Sequence, residues 1–146
     1  MEYVKSILDK SKYPHKLIHH KNLLRSAQEG AEYFNIDIGQ TAPTLIVKTD
    51  IGFFVIIVSG SRGRVDFKQV AEILNCQEAK LANPKEVENM GYTIGNVPLV
   101  GIPLPHILDK NLFEHSFVYG GTGIKDYTLK ISPYALEELN QVIAKF

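Results

Sequence analysis

The sequence predicts a single α+β domain in which a mixed, curved, barrel-like β-sheet is surrounded by helices. Helical and extended patterns are interspersed along the chain without the regular spacing of strand–helix–strand units. A chain of 146 residues, 45% hydrophobic and 22% charged, has the length and composition to bury the core of one domain. We therefore assign residues 1–146 to one domain.

The first part of the chain alternates between helical and extended patterns. Apolar residues at helical spacing predict helices over residues 2–11 and 23–34, with a short strand between them at 15–20. The clearest signal comes at residues 43–60, where two β-rich runs are joined by the turn 49–52. The nearly continuous apolar content of this hairpin predicts a central position that is covered on both faces.

Helix starts are well marked after the hairpin. Asp66 is a candidate N-cap for a helix over residues 67–75, and Asn83, followed by Pro84 and Glu86, is a candidate capping box. Three extended runs come next, at residues 106–109, 116–121 and 126–131.

The C-terminal segment has a helical pattern. Ser132 and Pro133 mark the start of a helix that we predict over residues 134–146. Its core-facing residues would be Leu136, Leu139 and Ile143.

Charge is zero overall but uneven along the chain. Residues 1–25 carry five lysines and one arginine against Glu2 and Asp9. A solvated helix face explains this basic end, and a tRNA-sized partner contacted at few phosphates is the alternative. No apolar run approaches the roughly 20 residues of a membrane span, and the N-terminus lacks the apolar run of a secretory signal. We expect a cytoplasmic protein without a membrane partner.

Several familiar site motifs are missing from the sequence. Residues 59–64, "SGSRGR", lack the spacing of a nucleophile elbow, and residues 119–126, "YGGTGIKD", lack the patterns of phosphate-binding loops. The histidines form no HExxH motif, and the single cysteine, Cys76, has no CxxC partner. We expect neither a metal site nor a cofactor, and we interpret both glycine-rich segments as turns.

The segment "GYTIGNVPLVGIPLP", residues 91–105, is the most distinctive part of the sequence. Three glycines and three prolines are interspersed with Val, Leu and Ile, which fits neither a helix nor a polar loop. Glycine allows positive φ and close approach of the backbone to a ligand, and proline stiffens the chain between. Such a loop can present backbone N–H groups to a carbonyl oxygen or a water. The alternative is a loop that only wraps the sheet.

This loop and its surroundings resemble the YbaK-like aminoacyl-tRNA deacylases, the family that includes the editing domain inserted in bacterial prolyl-tRNA synthetases. "GYTIGNVPLVG" is similar to the family segment "GYxxGGxxPxG". Residues 26–36 resemble the early helix of the family, residues 44–75 its central hairpin and next helix, and residues 118–139 its closing glycine turn, strand and helix. Together these motifs cover nearly the whole chain in matching order.

The resemblance implies a trans-acting hydrolase of translation fidelity, which cleaves the ester between a wrong amino acid and the 3′ end of a tRNA, typically the tRNA for proline. Its partners would be aminoacyl-tRNA and, as an open alternative, a synthetase. By position, Gly95, Asn96 and Val97 would border the reacting ester as catalytic residues. The substrate-binding residues would be His20, Pro43, Thr44, Pro98, Leu99, Gly101, Gly120 and Gly121, and the tRNA-binding residues Lys16, Lys21 and Arg25.

One position departs clearly from the family pattern. Many members have a lysine before the first hairpin strand, where it is thought to hold the substrate phosphate, and this chain has Pro43 there. Lys48 does not replace it by position, because its odd offset points to the opposite sheet face, about 16 Å along the strand. The candidates for a replacement cation are Lys16, Lys21, Arg62 and Lys125.

Three functions stay open from the sequence. The first is an editing hydrolase acting on mischarged tRNA. The second is a non-catalytic module of the same fold that binds tRNA or a synthetase, which Pro43 favours. The third is a pocket protein for an unrelated small acid or nucleotide, supported by the glycine turns alone. The sequence specifies neither the amino acid that is cleared nor the oligomeric state.

Overall fold

The computed structural model of this chain describes residues 2–146, within which five short α-helices and eight strands are interspersed. The helices are α1 (Glu2–Leu8), α2 (Ala27–Phe34), α3 (Phe67–Leu74), α4 (Pro84–Asn89) and α5 (Pro133–Leu139). The strands are β1 (His15–His19), β2 (Thr44–Thr49), β3 (Gly52–Ile57), β4 (Ala79–Leu81), β5 (His106–Leu108), β6 (Val118–Gly121), β7 (Tyr127–Ile131) and β8 (Val142–Lys145). The predicted α+β class is confirmed. None of the described helices is long and apolar enough to cross a membrane.

The strands form two sheets rather than a closed barrel. The larger sheet has the order β4-β2-β3-β5-β8, and the smaller one has the order β1-β7-β6. In the larger sheet β2 pairs antiparallel with β3 and β4, whereas β5 pairs parallel with β3 and β8. The predicted mixed sheet is therefore confirmed. A single bridge between Thr41 and Tyr119 links the segment before β2 to β6 of the smaller sheet.

The hairpin β2–β3 is the centre of the larger sheet and is buried on both faces, as its sequence predicts. Val55 and Ile57 point into a core shared with the smaller sheet and with the 97–102 segment. Ile56, between them, points into a second core that α3 covers with Val70 and Leu74. All three β3 residues are fully buried.

The predicted helix starts are present. The Asp66 carboxylate accepts a hydrogen bond from the Lys68 N–H at 3.0 Å. Asn83 and Glu86 form the predicted capping box, and Ser132 caps α5 through the Tyr134 N–H. These side chains satisfy backbone N–H groups that have no partner within their own helix.

The predicted helix over residues 134–146 is wrong beyond Leu139. Asn140 leaves the helical conformation with φ −110° and ψ 159°, and its side-chain amide donates to the Leu99 carbonyl at 2.9 Å. Residues 142–145 then form β8, parallel to β5. Their side chains alternate between partly buried and exposed, and Ile143 is half-exposed rather than docked.

The predicted helix over residues 23–34 begins later than expected. Ser26 is its N-cap and accepts a hydrogen bond from the Glu29 N–H at 3.1 Å, so that α2 begins at Ala27. Leu23 is exposed and Leu24 belongs to the segment before the helix. Strand β4 was not predicted, because a run of three residues is too short to give a strand pattern.

A buried ion pair joins the loop after β3 to the segment after β5. The Asp109 carboxylate is fully buried and accepts from the Arg62 guanidinium through Nε at 2.7 Å and Nη2 at 3.0 Å. Burial raises the pKa of Asp109, but hydrogen bonds from Arg62 and from the N–H groups of Ser59 and Asn111 outweigh it and hold the pKa below its ordinary value. Arg62 also donates to the Phe146 carbonyl at 3.1 Å. The Arg62 guanidinium is therefore held by contacts within the fold.

Asp109→Asn should lower the free energy of unfolding by about 3 kcal/mol at pH 7, because Arg62 would lose its buried counter-charge. The depressed pKa adds stability above the ordinary pKa of an aspartate, and this stability is lost as the pH falls through the folded-state pKa. The variant should therefore also lose part of this acid dependence. Urea denaturation at several pH values measures both effects.

Glu137→Gln is the matched control, because it removes the carboxylate of the exposed Lys145–Glu137 pair. It should cost less than about 1 kcal/mol. Equal losses for the two variants would contradict the role given to Asp109.

Candidate functional site

A cavity of about 310 Å³, hereafter the main cavity, is lined by five segments of the chain and by His20. The lining residues come from the segments 24–34, 41–45, 94–97, 119–121 and 125–128. The cavity therefore lies where α2, the entry to β2, the 91–105 loop and strands β6 and β7 meet.

In one wall of the main cavity, the 91–105 loop packs directly on two glycines of β6. A Cβ atom on Gly121 would collide with the Val97 carbonyl oxygen, and one on Gly120 would lie 2.7 Å from Leu99 Cδ1. The Leu99 N–H donates to the Gly121 carbonyl at 3.0 Å. Only glycine at these two positions lets the 91–105 loop pack directly on β6.

Residues 95–97 supply backbone donors at this wall. Gly95 has φ +88°, a conformation that glycine adopts readily, and nothing lies within 4 Å of its missing Cβ. The Asn96 N–H donates to the Thr93 carbonyl at 3.0 Å, whereas the N–H groups of Gly95 and Val97 have no acceptor among the described residues. Two backbone donors are therefore unused in this wall.

The Asn96 side chain connects the 91–105 loop to the turn after β6. With its amide oxygen turned toward the turn after β6, it accepts hydrogen bonds from the N–H groups of Ile124 and Lys125, both at 3.2 Å. This contact joins the 91–105 loop to the turn that carries Lys125.

His20 is held rigidly in the lining. It is 3% exposed, and its Nδ1 and Nε2 lie 2.7 Å from the Asn22 carbonyl and 2.9 Å from Thr128 Oγ1. Because a carbonyl only accepts, a neutral ring carries its proton on Nδ1 and accepts from the Thr128 hydroxyl through Nε2. Both nitrogens are occupied. The neighbouring His19 is exposed and contacts Asp126, so only one of the adjacent histidines faces the cavity, as predicted.

Aromatic rings close the side of the cavity next to His20. The Phe34 ring lies 5.1 Å from that of Tyr119 and 6.2 Å from that of His20, measured between centroids. Tyr33 packs edge-on against Phe34 at 5.0 Å. This cluster anchors α2 over the outer face of the smaller sheet.

No lining side chain is arranged as an activated nucleophile. Among the described residues of the lining there is no Asp, Glu or Cys. The Thr41 hydroxyl donates to the Ile38 carbonyl at 2.7 Å, and the Ser26 hydroxyl caps α2. Within residues 2–146, no group of three or more His, Cys, Asp or Glu could hold a metal ion. Backbone donors and fixed dipoles of the lining can supply electrostatic stabilisation here.

Two cations lie at the main cavity. Arg25 and Lys125 both line it, and neither has a carboxylate within ion-pair distance in the described part of the chain. Pro43 occupies the lining without a charge. Lys48 pairs with Glu86 of α4 at 2.7 Å and does not belong to the lining, in agreement with its predicted orientation.

The structure brings most of the candidate residues together. Those in the lining are His20, Arg25, Pro43, Thr44, Gly95, Asn96, Val97, Gly120 and Gly121. Those outside it are Lys16, Lys21, Pro98, Leu99 and Gly101. Leu99 is fully buried behind Gly120, and Gly101 lies under α1, where it accepts a hydrogen bond from the Tyr3 hydroxyl at 3.1 Å.

Sequence reasoning did not single out Phe34, Tyr119 and Thr128. In β7 and β6, Thr128 lies opposite Gly121, and Lys130 lies opposite Tyr119. This pairing places Thr128 and Tyr119 on the same sheet face as Gly121, so the register of the two strands is the signal that identifies them.

Comparison with known proteins identifies a matching family and several relatives. A model of the aminoacyl-tRNA editing domain matches residues 21–139. A proline–tRNA ligase of Thermosipho melanesiensis is 30% identical over 118 residues, which are 79% of this chain and 21% of that protein. One from Sulfurihydrogenibium sp. is 26% identical over 104 residues, 71% of this chain and 18% of that protein. The chain thus spans about a fifth of the length of the curated relatives it matches.

Solved structures agree with this match. A protein described as a candidate trans-editing enzyme for prolyl tRNA synthetase has a TM-score of 0.85 and 26% identity, over 98% of this chain and 92% of that one. A hypothetical protein has a TM-score of 0.86 and 25% identity, over 99% of this chain and 95% of that one. The resemblance stated from the sequence motifs is confirmed.

Gly121→Ala should lower the free energy of unfolding by about 1–3 kcal/mol, because its methyl group would meet the Val97 carbonyl. Gly30→Ala is the control in the same lining. Gly30 is helical with open space around its missing Cβ, so the substitution should raise stability by up to about 1 kcal/mol. Urea denaturation distinguishes them, and a neutral Gly121→Ala would contradict the packing described for this wall.

Proposed function

This chain belongs to the aminoacyl-tRNA editing domain family, and from that membership we propose that it hydrolyses the ester of mischarged tRNA in trans. The tRNA for proline is the proposed carrier, because the relatives include proline–tRNA ligases and a candidate trans-editing enzyme for prolyl tRNA synthetase. The reaction consumes one water and releases the amino acid and the free 3′ end of the tRNA.

The observation that carries the proposal is the pair of N–H groups at Gly95 and Val97 that have no acceptor among the described residues. They lie in the wall of a cavity whose His20, Ser26 and Thr41 side chains already form hydrogen bonds within the fold. An aminoacyl ester is reactive enough that a positioned water and a stabilised oxyanion suffice. A cavity without an activated nucleophile matches this requirement.

In the proposed mechanism, the ester carbonyl oxygen accepts hydrogen bonds from the N–H groups of Gly95 and Val97. A water attacks the carbonyl carbon, and negative charge develops on the oxygen that these donors hold. The bond between the carbonyl carbon and the ribose oxygen then breaks, and the ribose oxygen takes up the proton that the attacking water gives up. The neighbouring ribose hydroxyl of the substrate assists, which leaves His20 to shape the cavity.

Arg25 and Lys125 are proposed to hold the phosphate of the tRNA end in place of the family lysine. Both line the main cavity and neither is engaged by a carboxylate in the described residues. Charge-assisted contacts to phosphate are stronger than neutral ones, so two flanking cations compensate for Pro43. Lys16 and Lys21 lie outside the lining and would contact the tRNA farther from the ester.

The second candidate is a binding module of the same fold without hydrolysis, and Pro43 is the observation that favours it. Deacylation of tRNAs carrying labelled Ala, Cys, Ser or Pro distinguishes the two. Release of one amino acid by the purified protein supports the hydrolase, and its identity names the substrate. Retained tRNA binding without release across the panel would replace the hydrolase by the binding module.

Gly95→Ala should reduce deacylation by at least tenfold, because a methyl group at φ +88° strains the backbone and moves the adjoining N–H groups away from the ester. Single-turnover rates on mischarged tRNA measure the effect. Gly91→Ala is the matched control, since Gly91 has φ +91°, has equally open surroundings and lies outside the lining. A folded Gly95→Ala protein with the wild-type rate would remove this loop from the mechanism.

Arg25→Gln and Lys125→Gln should each weaken tRNA binding and reduce the slope of log K against log salt by about 0.7, the value for one phosphate contact to a single strand. Titration of uncharged tRNA at several salt concentrations gives the slopes. Lys85→Gln, an exposed lysine on α4, serves as the control. Slopes that match the wild type in both cavity variants would show that these cations do not contact phosphate.

A further inference from the structure

A second groove adjoins the main cavity on the far side of Pro43. Its volume is about 520 Å³, and it shares Ala27, Pro43 and Leu45 with the main cavity. The remaining walls come from the loop after β3, from the first residue of α3 and from the last residue of β4. A ligand larger than the main cavity can therefore continue past Pro43 into this groove without crossing another element.

The groove combines an apolar wall with one cation. Val58, Val65, Phe67 and Leu81 supply the apolar surface, and Leu81 is half-exposed. Arg64 is exposed and forms no ion pair or side-chain hydrogen bond among the described residues. Its charge is therefore available to a ligand.

Arg64 differs in this respect from Arg62, which is two residues earlier in the same loop. Arg62 is bound to the buried Asp109, and its guanidinium also lies 4.2 Å from the Phe146 ring centroid. The ion pair holds the loop in place and leaves Arg64 at the groove. The loop thus has one structural arginine and one arginine without an ion-pair partner in the described part of the chain.

We propose that this groove receives the penultimate nucleotide of the tRNA 3′ end, and that Arg64 shares with Arg25 and Lys125 the phosphate that joins it to the terminal adenosine. The inference rests on the proposed function, because the terminal nucleoside must occupy the main cavity. A flat base next to a phosphate matches an apolar wall next to an unpaired guanidinium, since bases pack on apolar and aromatic side chains and arginine binds phosphate in a fork. Because the two spaces adjoin at Pro43, a tRNA end that leaves the main cavity there meets this groove next.

The test compares binding of the dinucleotide cytidylyl-adenosine with binding of adenosine, by calorimetry or NMR titration. The wild-type protein should bind the dinucleotide about tenfold more tightly, because charge-assisted phosphate contacts are added. Arg64→Gln should lose most of this gain and keep its affinity for adenosine. Lys68→Gln, which removes an exposed cation from the neighbouring α3, should behave like the wild type.

Two results would overturn the inference. One is a wild-type protein that does not prefer the dinucleotide, which would leave the groove for another occupant such as a peptide of a synthetase. The other is a folded Arg64→Gln variant that keeps the preference or loses affinity for both ligands equally. A wild-type protein that shows the Arg64-dependent preference yet releases no amino acid from any tRNA would overturn the proposed hydrolysis alone.

Discussion

The direct packing of the 91–105 loop on the two glycines of β6 is the constraint on which the site depends. The Val97 carbonyl occupies the space that a side chain at Gly121 would need, and the Leu99 N–H bonds to the Gly121 carbonyl. The backbones of the two segments are therefore in direct contact at Gly121. This geometry leaves the N–H groups of Gly95 and Val97 unused beside a ligand-sized space.

The side chains of His20, Ser26 and Thr41 stabilise the shape of the cavity. His20 is fixed by hydrogen bonds with Asn22 and Thr128. The Ser26 hydroxyl caps α2, and the Thr41 hydroxyl donates to the backbone of the turn before β2. Groups held in this way need no reorganisation when charge develops on a substrate, and one oxyanion donor is worth about 3–4 kcal/mol of barrier in well-studied hydrolases. Such a site suits a substrate that is already activated. Recognition of the substrate would then depend on the cations of the lining rather than on the hydrogen-bonded side chains.

The sequence predicted the features that depend on local chemistry. Glycines and prolines identified the 91–105 loop, and Asp66, Asn83 and Ser132 identified three helix starts through capping. The C-terminal strand was missed because Leu136, Leu139 and Ile143 follow a helical spacing, whereas the pairing of residues 142–145 with β5 is set by contacts distant in sequence. Contacts distant in sequence also determine which cations are paired within the fold. Arg62 and Arg64 are the same residue type in the same loop, and only the position of Asp109, 47 residues after Arg62, separates their roles.

The central claim is that the N–H groups of Gly95 and Val97 bind the carbonyl of an aminoacyl ester. An amide-linked analogue of aminoacyl-adenosine, which is not hydrolysed, tests it directly when titrated into ¹⁵N-labelled protein. The account predicts downfield shifts of the Gly95 and Val97 amide protons, because new hydrogen bonds form there, with the Gly91 amide unchanged. Saturable binding that leaves both amides unshifted would contradict it and would place the ester elsewhere in the cavity.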